Sequence, residues 1–141
     1  MCAGIEYSKE NQTKRVYFPN PYAELPILLK NGELAYCAWG RRESQNGDLP
    51  LGGWARHESI GQGIWDKWFP KPVKIIVDAF MEKDINSKSH WFPLTKGNFI
   101  QGLLARNGKE RRVYIVTIES KLEDHLYDRW PRIMLNSPTV R

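Results

Sequence analysis

Two Asn-Gly dipeptides stand between apolar runs, and they restrict the fold more than any other feature of the chain. Residues 26–30 (PILLK) and 33–39 (ELAYCAW) flank Asn31-Gly32. Asn and Gly both accept the positive φ of a type I′ turn, whose twist matches that of paired strands, so this segment predicts a β-hairpin. The same logic pairs residues 99–106 with 112–118 around Asn107-Gly108, across a longer loop. Residues 73–80 (VKIIVDAF) are β-branched and mostly apolar, which predicts one buried strand. Residues 90–94 (HWFPL) form a shorter strand, and Pro93, which lacks an amide hydrogen, favours a sheet edge.

Helix signals are few. Ser120-Lys121-Leu122-Glu123 is a capping box, predicting a short helix through about Leu126 that ends before Pro131. A helix over 56–68 is weakened by Gly61 and Gly63. Residues 40–53 are polar, glycine-rich and aperiodic, hence a long loop of the kind that often carries function. The expected class is α+β: a strand-dominated single domain over 1–141 with few short helices.

A chain of 141 residues is the size of one domain and buries a core without staples. No apolar run has the length of a membrane span, and the start, MCAGIEYSKENQ, has no apolar signal-peptide core. Cys2 and Cys37 make no disulfide framework, which fits a reducing, cytoplasmic setting. The net charge of +5 is uneven: residues 1–70 carry eight Lys/Arg and eight Asp/Glu, residues 71–141 thirteen and eight. With six Trp, six Tyr and five Phe, this balance suits a nucleic-acid partner, although basic domains without one are common.

Chemistry points first to Cys2. Once Met1 is lost, Cys2 would carry an α-amine and a thiol on adjacent carbons. An α-amine, with a reference pKa near 8, is neutral far more often at pH 7 than a lysine. It can form a Schiff base with an aldehyde, and the thiol can close onto the same carbon to give a thiazolidine. The plain alternative is an end residue of no consequence. Glutamine amidotransferases also begin Met-Cys-Gly, and Asn31-Gly32-Glu33-Leu34 resembles a segment in them, but their glutaminase domain needs a longer chain.

Several segments in order carry a second resemblance. These are Met1-Cys2; Trp39-Gly40; Ala55-Arg56-His57-Glu58; residues 77–83 (VDAFMEK); the segments 99–105 and 113–118; and residues 126–134 (LYDRWPRIM). Together the chain resembles the SRAP (SOS response-associated peptidase) family, proteins that crosslink to abasic sites in single-stranded DNA. The resemblance implies a twisted antiparallel, barrel-like sheet. It also implies autocatalytic loss of Met1 and a thiazolidine crosslink through Cys2. Glu82 falls at the family's catalytic glutamate, which assists opening of the abasic sugar ring, and Tyr127 at a family histidine. Trp39 precedes the DNA-binding loop. Trp54 stands where the family has an asparagine, and Ala3 replaces a glycine.

On this reading Cys2, Glu82 and Tyr127 are the catalytic residues, and Trp39, Trp54, Arg56, Glu58 and Arg129 the DNA-binding set. A guanidinium matches phosphate oxygens, and a carboxylate such as Glu58 can orient one. Trp54, in a glycine-bounded loop beside Arg56, is the candidate to stack on a base. The plain alternatives are a strand-end carboxylate beside Lys83, ion pairs Arg56–Glu58 and Arg129–Asp128, and a core-capping Trp54. His57, His90 and His125 form no metal pattern, no nucleotide-binding loop is present, and Cys37 reads as an inert core thiol. The expected partner is abasic single-stranded DNA, with no metal, cofactor or membrane, for a monomer associated with the nucleoid. A binding-only relative and an N-terminal nucleophile amide hydrolase remain as other classes.

Overall fold

The computed structural model describes residues 2–120 and 126–135. The chain begins with a hairpin of β1 (Cys2–Lys9) and β2 (Gln12–Tyr17), joined by Glu10 and Asn11, both at positive φ (52° and 63°). A second hairpin follows, β3 (Glu24–Leu28) and β4 (Leu34–Ala38), as the Asn31-Gly32 signal predicts. Its loop is not a two-residue I′ turn. Only Gly32 has positive φ (86°), and Leu29 accepts from the Gly32 amide and donates to the Glu33 carbonyl. That is a turn closed by a glycine bulge.

β5 (Trp54–Arg56) leads into the single-turn helix α1 (His57–Gly61) and a 3₁₀ turn, Asp66–Trp68. The expected longer helix stops at its glycines, with Gly63 at φ 80°. β6 (Lys71–Ile75), β7 (Ala79–Lys83), β8 (Ser89–Pro93), β9 (Phe99–Asn107), β10 (Glu110–Glu119), β11 (Arg129–Pro131) and β12 (Ile133–Met134) complete the order. The β9–β10 loop is shorter than expected: Asn107 pairs with Glu110, leaving Gly108 (φ 61°) and Lys109 as the turn. The helix signalled by Ser120–Glu123 falls outside the described residues. What is described is mostly β, with less helix than an α+β chain carries.

The strands form two sheets. The smaller runs β2-β1-β7-β8, with β8 at the edge that Pro93 favours; the larger runs β11-β10-β9-β6-β3-β4, with β5 on β10 and β12 on β9. β4 comes alongside β10, but a lone bridge, Trp39 to Val113, joins them, so the sheet is not closed into a barrel. The apolar run 73–80 is two strands, not one. β6 ends at Ile75 in the larger sheet, the chain crosses over residues 76–78, and β7 starts at Ala79 in the smaller. Both halves are buried in the same core, where Ile5, Tyr7 and Phe80 from the smaller sheet meet Ile27, Ile75, Ile100 and Ile115 from the larger.

Candidate functional site

Side chains alternate across a strand, so Glu82 lies on the same face of β7 as Phe80, the face that meets the core. The register then lines up three residues across the smaller sheet: Cys2 on β1 opposite Glu82 on β7, and Glu82 opposite His90 on β8. The β1–β7 ladder shifts by a residue between Cys2 and Gly4, and this irregularity sets Cys2 in the Glu82 row.

The chain returns to this row after β10. The Ile85 amide donates to the Leu126 carbonyl at 2.9 Å, drawing residues 126–130 against the end of the β7–β8 hairpin. Trp130 packs edge-on to Phe80 and Phe92 (centroids 5.2 and 4.9 Å apart), and Tyr127 packs against Trp130 (5.2 Å), Phe92 (5.7 Å) and His90 (6.4 Å). Glu82 is fully buried, and burial pushes its carboxyl up to about 7. A carboxyl there exchanges its proton at neutral pH and can serve as acid or base. The row thus gathers the residues expected to be catalytic: Cys2 by register, Glu82, and Tyr127 against the opposite strand.

His90, which sequence reasoning did not place in the site, is held by Asp84 (Nε2 to Oδ2, 2.8 Å). Asp84 also accepts the Asn86 and Lys88 amides, so one carboxylate shapes the turn and orients the imidazole. A turn-forming Asp six residues before a strand histidine was the available signal.

The expected DNA-binding residues lie elsewhere, and three are structural. Trp39 is fully buried, its indole N–H donating to the Gly53 carbonyl at 3.0 Å, out of reach of a nucleic acid. Arg129 is also buried. It is gripped by Glu58 through paired bonds of 2.9 and 3.2 Å and donates to the Thr117 carbonyl at 2.7 Å, so it offers phosphate no edge. The ion pair is therefore Arg129–Glu58, replacing both pairings anticipated from sequence. The Arg129 hydrogen bonds hold the Glu58 carboxyl down at about 2. Arg56 is exposed at the start of α1, and half-buried Trp54 packs on Phe18 (4.8 Å) and Trp39 (6.2 Å). Of the two, Arg56 is the exposed one, and Trp54 packs against the core as the core-capping alternative had it.

The long loop 40–53 is clamped. Arg112 donates to the Gly40 carbonyl (3.0 Å) and to Glu110 (2.8 Å), Glu110 accepts the Asp48 amide (2.9 Å), and Tyr114 donates to the Pro50 carbonyl (2.6 Å). Arg42, stacked on Phe18, donates to the Phe18 and Trp39 carbonyls. At Gly40 (φ 56°) a Cβ would stand 2.2 Å from the Gly52 carbonyl oxygen, so only glycine closes the loop neck. Cys37 is half-buried, and burial pushes its thiol up to about 11, which leaves little thiolate at neutral pH. Among the described residues no three His, Cys, Asp or Glu side chains converge as metal ligands, and no helix is long and apolar enough to cross a membrane. No protein-family model matches the chain, and neither a curated protein nor a solved structure matches it.

Proposed function

We propose that this chain is an SRAP-type protein that binds single-stranded DNA at abasic sites and crosslinks to them through Cys2 once Met1 is removed. The observation that carries the reading is the register of Cys2 opposite Glu82, a buried carboxyl poised near neutrality. The curled larger sheet with the smaller one laid on it is, on this reading, an SRAP-type fold.

In its protonated form Glu82 donates to the ring oxygen of the abasic sugar while the anomeric hydroxyl gives up its proton to solvent, so that the ring opens to the aldehyde and the Glu82 carboxylate is reprotonated from solvent. The neutral Cys2 amine adds to the aldehyde carbon, and water leaves to give the imine. The thiol then adds to that carbon; its sulfur forms the new bond and its proton passes to nitrogen, closing the thiazolidine. Amine, thiol and aldehyde are converted to ring and one water, with no oxidant and no cofactor. Burial keeps water from Glu82 and so keeps its proton available. Arg56 and Trp54 contact the strand, as phosphate partner and stacking surface. The protein acts as a cytoplasmic, nucleoid-associated monomer.

The test is incubation of protein lacking Met1 with an abasic oligonucleotide, followed by a denaturing gel. A heat-stable shifted band is expected from the wild type, and none from Cys2→Ser, which can form at most a labile Schiff base. Glu82→Gln should slow the band's appearance by about 10²-fold or more. A heat-stable band from Cys2→Ser would sink the thiazolidine. Noncovalent binding alone would indicate a binding-only relative, and glutamine hydrolysis without DNA binding an amide hydrolase.

A further inference from the structure

β3 and β6 are paired at a single position, Ile27 with Ile75, and diverge beyond it. The gap is a cleft of about 780 Å³, within the range of sites for small organic ligands. Its lining has two characters. Val73, Leu104 and Met134 contribute apolar surface, while Lys30, Lys71, Lys74, Arg111 and Arg132 bring five cations. No carboxylate lines it among the described residues. Lys74 lies over the Phe99 ring (5.0 Å) and Arg132 donates to Gln101; Lys30, Lys71 and Arg111 are exposed. None of these residues belongs to the Glu82 row.

Five cations border one cleft, Lys71 from one face of β6 and Lys74 from the other, and no carboxylate lines it among the described residues, so an anion seated there would meet several positive charges and no negative one. The apolar floor selects further: an inorganic anion would leave it wet, whereas a ligand with a flat apolar body would cover it. A nucleic-acid strand is a poorer fit, since strand grooves line up successive aromatic platforms and here, among the described residues, Phe99 alone supplies a ring. We propose that the β3–β6 cleft is a binding site for a nucleoside diphosphate or triphosphate, base against the apolar floor and phosphates on the lysines and arginines. The proposal stands apart from the crosslinking reading, and either can fail alone.

The probe is a fluorescent N-methylanthraniloyl ADP, titrated with the full chain and followed by anisotropy. Saturable binding is expected, and Lys71→Glu and Lys74→Glu should each weaken it by about tenfold or more, equivalent to about 1.4 kcal/mol. Both positions are exposed, and circular dichroism checks that the variants fold. Lys14→Glu, on β2 in the other sheet, makes the same charge change and should leave affinity within about twofold. Unlabelled ADP should displace the probe at lower concentration than tripolyphosphate, adenosine or oligothymidylate.

No binding at about 1 mM protein, the weak end of specific association, overturns the proposal. So does an equal loss in Lys14→Glu, or unchanged affinity in both cleft variants. Displacement by tripolyphosphate as readily as by ADP overturns it in favour of a plain phosphate site; preferential displacement by oligothymidylate overturns it in favour of a strand groove. Should the cleft variants not fold, the displacement series decides.

Discussion

Glu82 and Glu110 are the same residue in two interiors, and the protein treats them in opposite ways. At Glu110 burial works against the charge, but hydrogen bonds from Arg112 and from the Asp48 and Leu49 amides outweigh it and hold the carboxyl below its usual range. At Glu82 burial wins, and the proton stays on to about pH 7. The first arrangement fixes a loop; the second leaves a group that can move a proton under physiological conditions. A buried charge whose hydrogen bonds outweigh its desolvation is architecture, and one whose desolvation prevails is where chemistry becomes available.

The comparison breaks most visibly at the clamp. Arg112→Met removes the partner of Glu110 and the donor to the Gly40 carbonyl, and breaking such a pair costs about 3–5 kcal/mol. Urea denaturation should show the midpoint fall accordingly; a change within the error of the measurement would mean the loop is not held there.

Glu82→Gln sharpens the other side. A folded-state value raised from 4.5 to about 7 means that folding favours the protonated form. The stability this provides is complete below pH 4.5 and is lost as pH rises through about 7. The wild type should therefore lose about 3 kcal/mol across that window relative to Glu82→Gln. Parallel pH profiles for the two proteins would show that Glu82 is not desolvated in solution.

Tyr127→His tests whether proton transfer near Glu82 limits reversal of the proposed crosslink. Tyrosine, with a reference pKa near 10, is a poor base at neutral pH, whereas histidine both gives and takes a proton. Transfer of a preformed crosslink to excess fresh abasic DNA should speed up by about tenfold, within the usual reach of one acid–base group. An unchanged rate would direct attention to His90, which already stands opposite Glu82.

The smallest effect belongs to Glu58, an exposed carboxylate. Its value near 2 means that its contribution is present above 4.5 and is lost as pH falls through about 2. Glu58→Gln should lower the urea midpoint slightly at pH 5, and the gap from the wild type should close at pH 2.

The hairpins were legible because their turns announce themselves: Gly32 and Gly108 take the positive φ that the Asn-Gly signals require, even though the turn types differ. The β1–β2 hairpin was missed because Glu10 sits at φ 52°, a conformation glutamate seldom adopts. The run 73–80 was misread for a different reason. Both sheets bury their inner faces, so an apolar stretch does not reveal where the chain changes sheet; exposed Asp78 marks the crossover, but exposed Lys74 inside β6 breaks the run in the same way. In the site, chain order suggested Cys2 and Glu82, but the burial that gives Glu82 its character arises only when the two sheets pack, which no local pattern announces. Arg129 and Glu58 are 71 residues apart, beyond any local pattern.

The place of β1 between β2 and β7 also shapes how the chain matures during synthesis. The first hairpin can form as soon as residue 17 is free, but its inner edge has no partner until β7 emerges, some 60 residues later. At about 5–20 residues per second this leaves the edge uncovered for roughly 3–12 seconds on the ribosome. An open edge is a template for pairing with other chains, so crowded polysomes would be where this protein most needs a chaperone.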